Sequence, residues 1–240
     1  MPIVILQHDD NNRSGRLGLT LRDHGFKADV LRMDRGDALP PDLDGVHGVI
    51  SLGGAANADE KHAWIPRELE FLRAAHEADL PVVGVCLGAQ MIAKALGGEV
   101  GPADKPEVGW STVHLAPSAH TDTILAGVAW SSPQFQKHKQ EVKGLPPGAV
   151  ALASSDACAI QAFRAGLRTY AFQYHFEVDR DGIDRLMADA KTTLHQTGVT
   201  TEEFAAQTAR HYEMFARLAD RLCINIATYL IPRVATAMRA

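Results

Sequence analysis

The stretch that decides the fold is Pro81-Val82-Val83-Gly84-Val85-Cys86-Leu87-Gly88-Ala89-Gln90-Met91-Ile92-Ala93-Lys94-Ala95-Leu96-Gly97-Gly98. Pro81 to Val85 is short and apolar, which predicts a buried strand, and Ala89 to Leu96 predicts a helix closed by the Gly97-Gly98 pair. Between them Cys86 stands in a turn flanked by Gly84 and Gly88, with no bulky side chain to crowd it. A strand that breaks sharply into a helix holds the residue at the break in a strained, exposed turn at the end of a sheet. The same turn aims the first free N–H groups of the helix near the sulfur, the setting that favours the reactive thiolate.

A cysteine nucleophile needs a base, and the base needs a group to orient it. Downstream lies Thr169-Tyr170-Ala171-Phe172-Gln173-Tyr174-His175-Phe176-Glu177, which reads as a core strand. Period-two alternation puts Gln173, His175 and Glu177 on one side and Phe172, Tyr174 and Phe176 on the other. Glu177 would then set the imidazole tautomer while His175 takes and returns a proton. A His-x-Glu pair alone is a weak signal; joined to an elbow cysteine it completes a nucleophile, base and orienter.

A third stretch agrees. Gly45 to Leu52 reads as a buried strand running into Gly53-Gly54. Two glycines after a strand let the backbone approach a ligand closely, and their N–H groups can meet a developing oxyanion.

These motifs together resemble the class I (triad-type) glutamine amidotransferases, and more narrowly the stand-alone, GMP synthase-like group. The resemblance runs from about Ile3 to Val178 and includes Ser51-Leu52-Gly53-Gly54, Glu107-Val108-Gly109-Trp110 and Leu152-Ala153-Ser154-Ser155. It implies a flavodoxin-like, doubly wound sheet, with Cys86 as nucleophile, His175 as acid/base and Glu177 as its orienter. It further implies an oxyanion hole from the N–H of Leu87 and one from Gly53-Gly54, and substrate contacts from Gln90, His138 and Trp110. No cofactor or metal is implied.

The chain departs from the family pattern at three points. Phe176 stands where most members have Pro between the histidine and the glutamate, although the narrower group often has Phe there too. Ala55 follows the glycine pair in place of the usual Pro. Phe135-Gln136-Lys137-His138-Lys139-Gln140 matches a Trp-His-Gly-Asp motif only at His138, with Gln140 in place of the acid. Glutamine is therefore the first reading of the substrate. Another γ-glutamyl conjugate or peptide, motivated by Lys137, Lys139 and Gln140, is the second. A regulatory subunit with a silent triad is the third.

The order of elements predicts the frame. Ile3 to Gln7, Ala28 to Met33, Val46 to Leu52 and the elbow strand alternate with helices over Gly15 to Asp23 and Pro66 to Ala78. That order argues for a parallel sheet with its site at the carboxyl ends of the strands. After Trp110 the chain predicts short strands over Ser111 to Leu115, Phe135 to His138, Ala149 to Ala153, Ala159 to Arg164 and Arg168 to Gln173, an antiparallel extension that returns His175 to Cys86. Residues 1–178 are read as the amidotransferase domain and 179–240 as a C-terminal helical extension. In that extension Ile183, Leu186, Met187, Ala190 and Leu194, and then Phe204, Thr208, Tyr212, Phe215, Leu218 and Leu222, keep helical spacing. The apolar run from Leu222 to Ile231 is too short to span a bilayer and carries Asn225. It reads as a helix on the domain flank or as a subunit interface, which would make a homodimer.

Bulk properties agree with one α/β domain plus extra helices. The 240 residues carry a net charge of −5 with no long basic run, which argues against nucleic acid as partner. Met1-Pro2-Ile3-Val4-Ile5-Leu6 enters a strand without an export signal, and the three cysteines form no CxxC pair, so a reducing, cytoplasmic setting is expected. Cys158 and Cys223 are read as packed in apolar surroundings, and His8-Asp9-Asp10-Asn11 as a solvated loop rather than a metal site. The implied partners are a small-molecule substrate and a separate synthase subunit, with no membrane.

Overall fold

Ile3 and Ile5 face one side of strand β1 (Pro2–Gln7) and Val4 and Leu6 the other, and all four are buried. A strand apolar on both sides must lie inside a sheet covered on both faces. The computed structural model describes residues 2–188, 190, 194 and 197–231. Around β1 the chain builds α1 (Gly15–Asp23), β2 (Lys27–Arg32), β3 (Gly48–Ser51), α2 (Trp64–Glu77), β4 (Val82–Val85) and α3 (Leu87–Ala95). It continues with β5 (Glu99–Leu115), β6 (Ser131–Gly144), β7 (Val150–Ser154), β8 (Ala162–Ala165), β9 (Thr169–Phe172), α4 (Arg180–Ala188) and α5 (Thr201–Asn225).

Among the described residues one nine-stranded sheet runs in the order β2-β1-β3-β4-β9-β8-β7-β5-β6. From β2 to β9 neighbouring strands are parallel, and from β9 to β6 they are antiparallel. This is the mostly parallel, doubly wound sheet with an antiparallel extension expected from the sequence. Leu17, Leu21 and residues of α4 and α5 share one apolar cluster with Ile3, Ile5, Val83 and Val85. Phe71, Leu72, Met91 and Ile92 share the other with Val4, Leu6, Val49 and Val82. Helices thus cover both faces.

Two expectations need correction. The strand expected over Ser111 to Leu115 is the end of a 17-residue strand, β5, whose earlier part is punctuated by Gly101, Pro102, Pro106 and Gly109. Those residues mask a strand in the sequence. Its ladder with β6 absorbs them through register shifts between Glu99 and Val100 and between Pro102 and Glu107. The strand read through to Glu177 stops at Phe172. Beyond it the chain is irregular, yet the sidedness survives: the Phe172 ring contacts those of Tyr174 and Phe176, with centroids 5.7 and 4.9 Å away.

α5 begins with reciprocal capping, the Thr200 hydroxyl accepting from the Glu203 N–H and the Glu203 carboxylate from the Thr200 N–H. Its buried face carries Phe204, Thr208, Phe215, Ala219 and Leu222. Full burial of a side chain such as Phe215 is worth about 2–3 kcal/mol. Asn225, polar within the apolar run, is satisfied by donating to the carbonyls of Ile124 and Ala126 at 2.9 and 2.8 Å. A π-turn, Ile226–Leu230, ends the described helix. The last part of the expected extension, residues 232–240, lies outside the described residues, as do 189, 191–193 and 195–196 between α4 and α5. Among the described residues no helix is long and apolar enough to cross a membrane.

Candidate active site

β4 and β9 lie side by side, with Val85 opposite Phe172. The residues that follow them, Cys86 and Gln173, therefore leave the sheet from adjacent carboxyl ends. Cys86 adopts φ 52° and ψ −108°, a left-handed conformation that a side chain rarely takes. The strain is held from several sides. The Cys86 N–H donates to the Phe172 carbonyl at 2.8 Å, and the Gly88 N–H to the Leu52 carbonyl at 3.0 Å. Gly88 sits against the Ser51 carbonyl so closely that no Cβ fits there, which is why the elbow needs glycine at this position.

His175 is placed by its own backbone, its N–H donating to the Phe135 carbonyl of β6 at 2.9 Å. Its Nδ1 lies 2.8 Å from Glu177 Oε1, and both side chains are 1% exposed. The Glu177 carbonyl in turn accepts from the Arg16 N–H at 2.7 Å, so the start of α1 clamps the carboxylate's backbone. Burial opposes charge on His175. The charges of Glu177 and Cys86 and the hydrogen bonds both make with the ring outweigh it, and the imidazole pKa is raised to about 10. His175 is thus paired with Glu177 and electrostatically coupled to Cys86. The Cys86 thiol also lies 3.7 Å from the Lys137 carbonyl, to which it donates.

Cys86 lines a cleft of about 270 Å³ together with Gly54, Leu87, Gln90 and His138, and Asp9, Asn11, Asn12, Lys139 and Gln140 also line it. Gly53 lies between Asn12 and the His175 ring, and Gly54 between Leu87 and His8, and at both positions a Cβ would collide with a side chain. Gln90 donates to the Gln140 carbonyl at 2.8 Å and to Gln173 Oε1 at 3.1 Å. His138 reaches the Gln140 carbonyl through Nδ1 and Glu107 through Nε2, both at 3.1 Å. Glu107 is held below the ordinary carboxylate range: burial works against this, but the hydrogen bond and charge of His138 and the hydroxyls of Ser111 and Ser155 prevail.

Of the residues expected here, Cys86, His175, Glu177, Leu87, Gly53, Gly54, Gln90 and His138 come together. Trp110 does not. Its indole N–H donates to Thr208 Oγ1 of α5 at 2.9 Å, and its ring packs edge-on against Phe135 and Phe215. Trp110 is a helix-docking residue because β5 presents it to the face that α5 covers.

The loop after β1, read as solvated, also needs correction at its first residue. His8 is 5% exposed and faces Glu68. Asp9 accepts from the N–H groups of Asn11, Asn12 and Ala55. One signal could have found Glu68: it occupies the apolar stripe of α2 with Ile65, Leu72 and Ala75, where a carboxylate needs a buried partner. Cys223 is buried in the apolar cluster as expected, whereas Cys158, also buried, lies outside both clusters with its thiol donating to the Ile160 carbonyl and its N–H to Ser155 Oγ. Burial pushes both thiols up. Among the described residues no group of three or more His, Cys, Asp or Glu is arranged to hold a metal.

A strained elbow cysteine, a buried imidazole–carboxylate pair and a glycine turn on a doubly wound sheet define a triad-type amidotransferase architecture. Residues 15–190 match the family described as Glutamine amidotransferase class-I, and the chain belongs to that family. Among its relatives, the glutamine-hydrolyzing GMP synthase subunit of Thermoplasma volcanium is 33% identical over 166 residues, covering 69% of this chain and 78% of that one. The corresponding GMP synthase subunit of Pyrococcus furiosus is 31% identical over 181 residues, covering 73% and 89%. The solved structure of a glutamine amidotransferase from Methylobacillus flagellatus superposes with a TM-score of 0.86 at 27% identity, covering all of this chain and 98% of the other. Within the family the chain falls with the stand-alone, GMP synthase-like group.

Proposed function

We propose that the protein is a glutaminase of the amidotransferase type, with Cys86 as nucleophile, His175 as acid/base and Glu177 as its orienter. The observation that carries this reading is the buried His175–Glu177 pair, coupled to a strained Cys86 that lines the same cleft as Gly54. The Cys86 thiolate attacks the side-chain amide carbon of glutamine, and the carbonyl π electrons move onto oxygen. The N–H groups of Leu87 and of the Gly53-Gly54 turn stabilise that oxyanion. Collapse breaks the C–N bond as the His175 imidazolium gives its proton to the departing nitrogen, which leaves as ammonia. His175 then takes a proton from water, whose oxygen attacks the thioester; the C–S bond breaks and glutamate leaves. Gln90 and His138 line the space beside the sulfur and contact the bound substrate.

The names of the relatives support transfer of the ammonia to a separate synthase subunit, and residues 1–178 would be the unit that makes it. Of the extension read over 179–240, the described helices α4 and α5 are assigned to the flank of the same unit, with self-association through them as the alternative. A second substrate reading, another γ-glutamyl conjugate or peptide, draws on Gln140, which stands where the group has an acid and donates to Asp59 at 3.0 Å.

The deciding experiment compares ammonia release from glutamine with amine release from γ-glutamyl peptides, while mass spectrometry follows Cys86. Ammonia release with a glutamyl thioester on Cys86 is the expected result. Preferential amine release would move the assignment to a γ-glutamyl hydrolase. No adduct on Cys86 with either substrate or with an electrophilic glutamine analogue would leave a non-catalytic role.

A further inference from the structure

Behind the glycine turn lies a buried ionisable pair that the chemistry above does not use. His8, at the exit of β1, and Glu68, on α2, are 5% and 0% exposed. His8 Nε2 is 2.9 and 3.1 Å from the two Glu68 oxygens, and its Nδ1 is 3.2 Å from the Gly53 carbonyl oxygen. Ser51 donates to Glu68 Oε1 at 2.7 Å, and the Trp64 ring packs on the imidazole with centroids 4.9 Å apart. Both ring nitrogens face acceptors, a carbonyl and a carboxylate, so only the doubly protonated ring satisfies both. Burial opposes that charge, but Glu68, the Gly53 carbonyl and Asp9 outweigh it and raise the His8 pKa.

A trans peptide is planar, with its C=O and N–H pointing in opposite directions. Holding the Gly53 oxygen toward His8 therefore aims the Gly54 N–H away from His8, and Gly54 is one of the residues that line the cleft. One residue further on, Asp9 Oδ2 accepts from the Ala55 N–H at 3.0 Å and fixes the next peptide. Glycines adopt either peptide orientation readily, so this turn needs external anchors to keep one. Among the described residues the Gly54 N–H donates to no backbone carbonyl.

We propose that His8 and Glu68 are positioning residues for the oxyanion hole: their buried pair holds the Gly53 carbonyl and so keeps the Gly54 N–H directed at the reacting oxygen before substrate arrives. This deepens the glutaminase reading and rests on it for its kinetic part. A donor fixed in advance costs no reorganisation during the reaction, so its loss is read in kcat rather than in KM.

The test uses the full chain in two double variants. H8F/E68L removes both members of the pair and avoids leaving one buried charge unpaired. H8N/E68L restores a donor near the position of Nδ1 without a buried carboxylate. The expected result is a fall in kcat on the order of 100-fold for H8F/E68L with KM within about 3-fold, as for loss of one oxyanion donor. H8N/E68L should recover most of the loss. Crystal structures of wild type and H8F/E68L should differ in the orientation of the Gly53–Gly54 peptide. A wild-type kcat in H8F/E68L, a rise in KM with kcat intact, or a Gly53–Gly54 peptide unmoved in H8F/E68L would overturn the proposal. If wild type releases neither ammonia nor amine, the glutaminase reading fails, and the peptide orientation in H8F/E68L still decides whether the pair holds the turn.

Discussion

The Cys86 N–H donates to the Phe172 carbonyl oxygen across 2.8 Å, tying the residue after β4 to the last residue of β9. This one bond joins the cysteine elbow to the loop that carries His175 and Glu177, although 89 positions separate Cys86 from His175 in the chain. Parallel neighbours end at the same edge of a sheet, so the topology itself brings the two halves of the site together.

Replacing Cys86 by Ala should abolish turnover and leave the fold intact. The side chain is small, and the elbow's hydrogen bonds are made by backbone groups. Ammonia release and the thermal unfolding midpoint measure the two effects, and residual turnover above one part in a thousand would displace Cys86 as nucleophile.

Glu177→Gln should move the pH dependence as well as the rate. The His175 pKa is raised from 6.5 to about 10. The imidazolium's contribution to stability is therefore complete below pH 6.5 and is lost as pH rises through about 10. Turnover that needs the protonated ring to expel ammonia should decline on the same alkaline limb. Without the Glu177 charge, burial dominates and that limb moves toward neutral pH, with kcat reduced on the order of 100- to 10,000-fold. A pH–rate profile of the variant with an unmoved alkaline limb would assign the limb to another group.

Gly88→Ala tests the packing of the elbow. The new methyl would collide with the Ser51 backbone carbonyl, which cannot swing aside as a flexible side chain can. Overpacking of this kind costs about 1–3 kcal/mol. For a chain of this size that corresponds to a midpoint lower by roughly 2–12 °C. Differential scanning calorimetry gives the midpoint, and an unchanged value would mean that the helix start shifts freely.

Trp110→Phe separates helix docking from substrate binding. The change removes the donor to Thr208 and part of the contact with Phe215. A loss of about 1–2 kcal/mol in stability with KM unchanged is expected, the lost hydrogen bond accounting for about 1 kcal/mol of it. Denaturant unfolding and substrate titration read the two quantities. A raised KM with unaltered stability would return Trp110 to the cleft.

The cysteine elbow, the His175–Glu177 pair and the Gly53-Gly54 turn were legible because each depends on local geometry: a tight turn, a spacing of two, a backbone without Cβ. The alternation of apolar strands and helices was legible for the same reason, since hydrophobic periodicity reports which side of an element is covered. The end of β9 at Phe172 was not, because ladder pairing belongs to the neighbour: the ladder with β8 ends at Ala162, and a single further backbone bond, from the Gln173 N–H to the Gln161 carbonyl, follows it. The length of β5 was hidden by glycines and prolines that its partner β6 accommodates through register shifts. Trp110 and His8 were misassigned for one shared reason. Composition near a motif says that a polar or aromatic group is present, but only packing decides whether it faces the cleft, a helix or a buried carboxylate 60 residues away. The sequence by itself determined the chemistry available to this protein, because reactive groups and their local turns are encoded in contiguous residues. Tertiary structure alone decided which of those groups meet and which serve as supports, because burial and charge pairing depend on strands and helices distant in the chain.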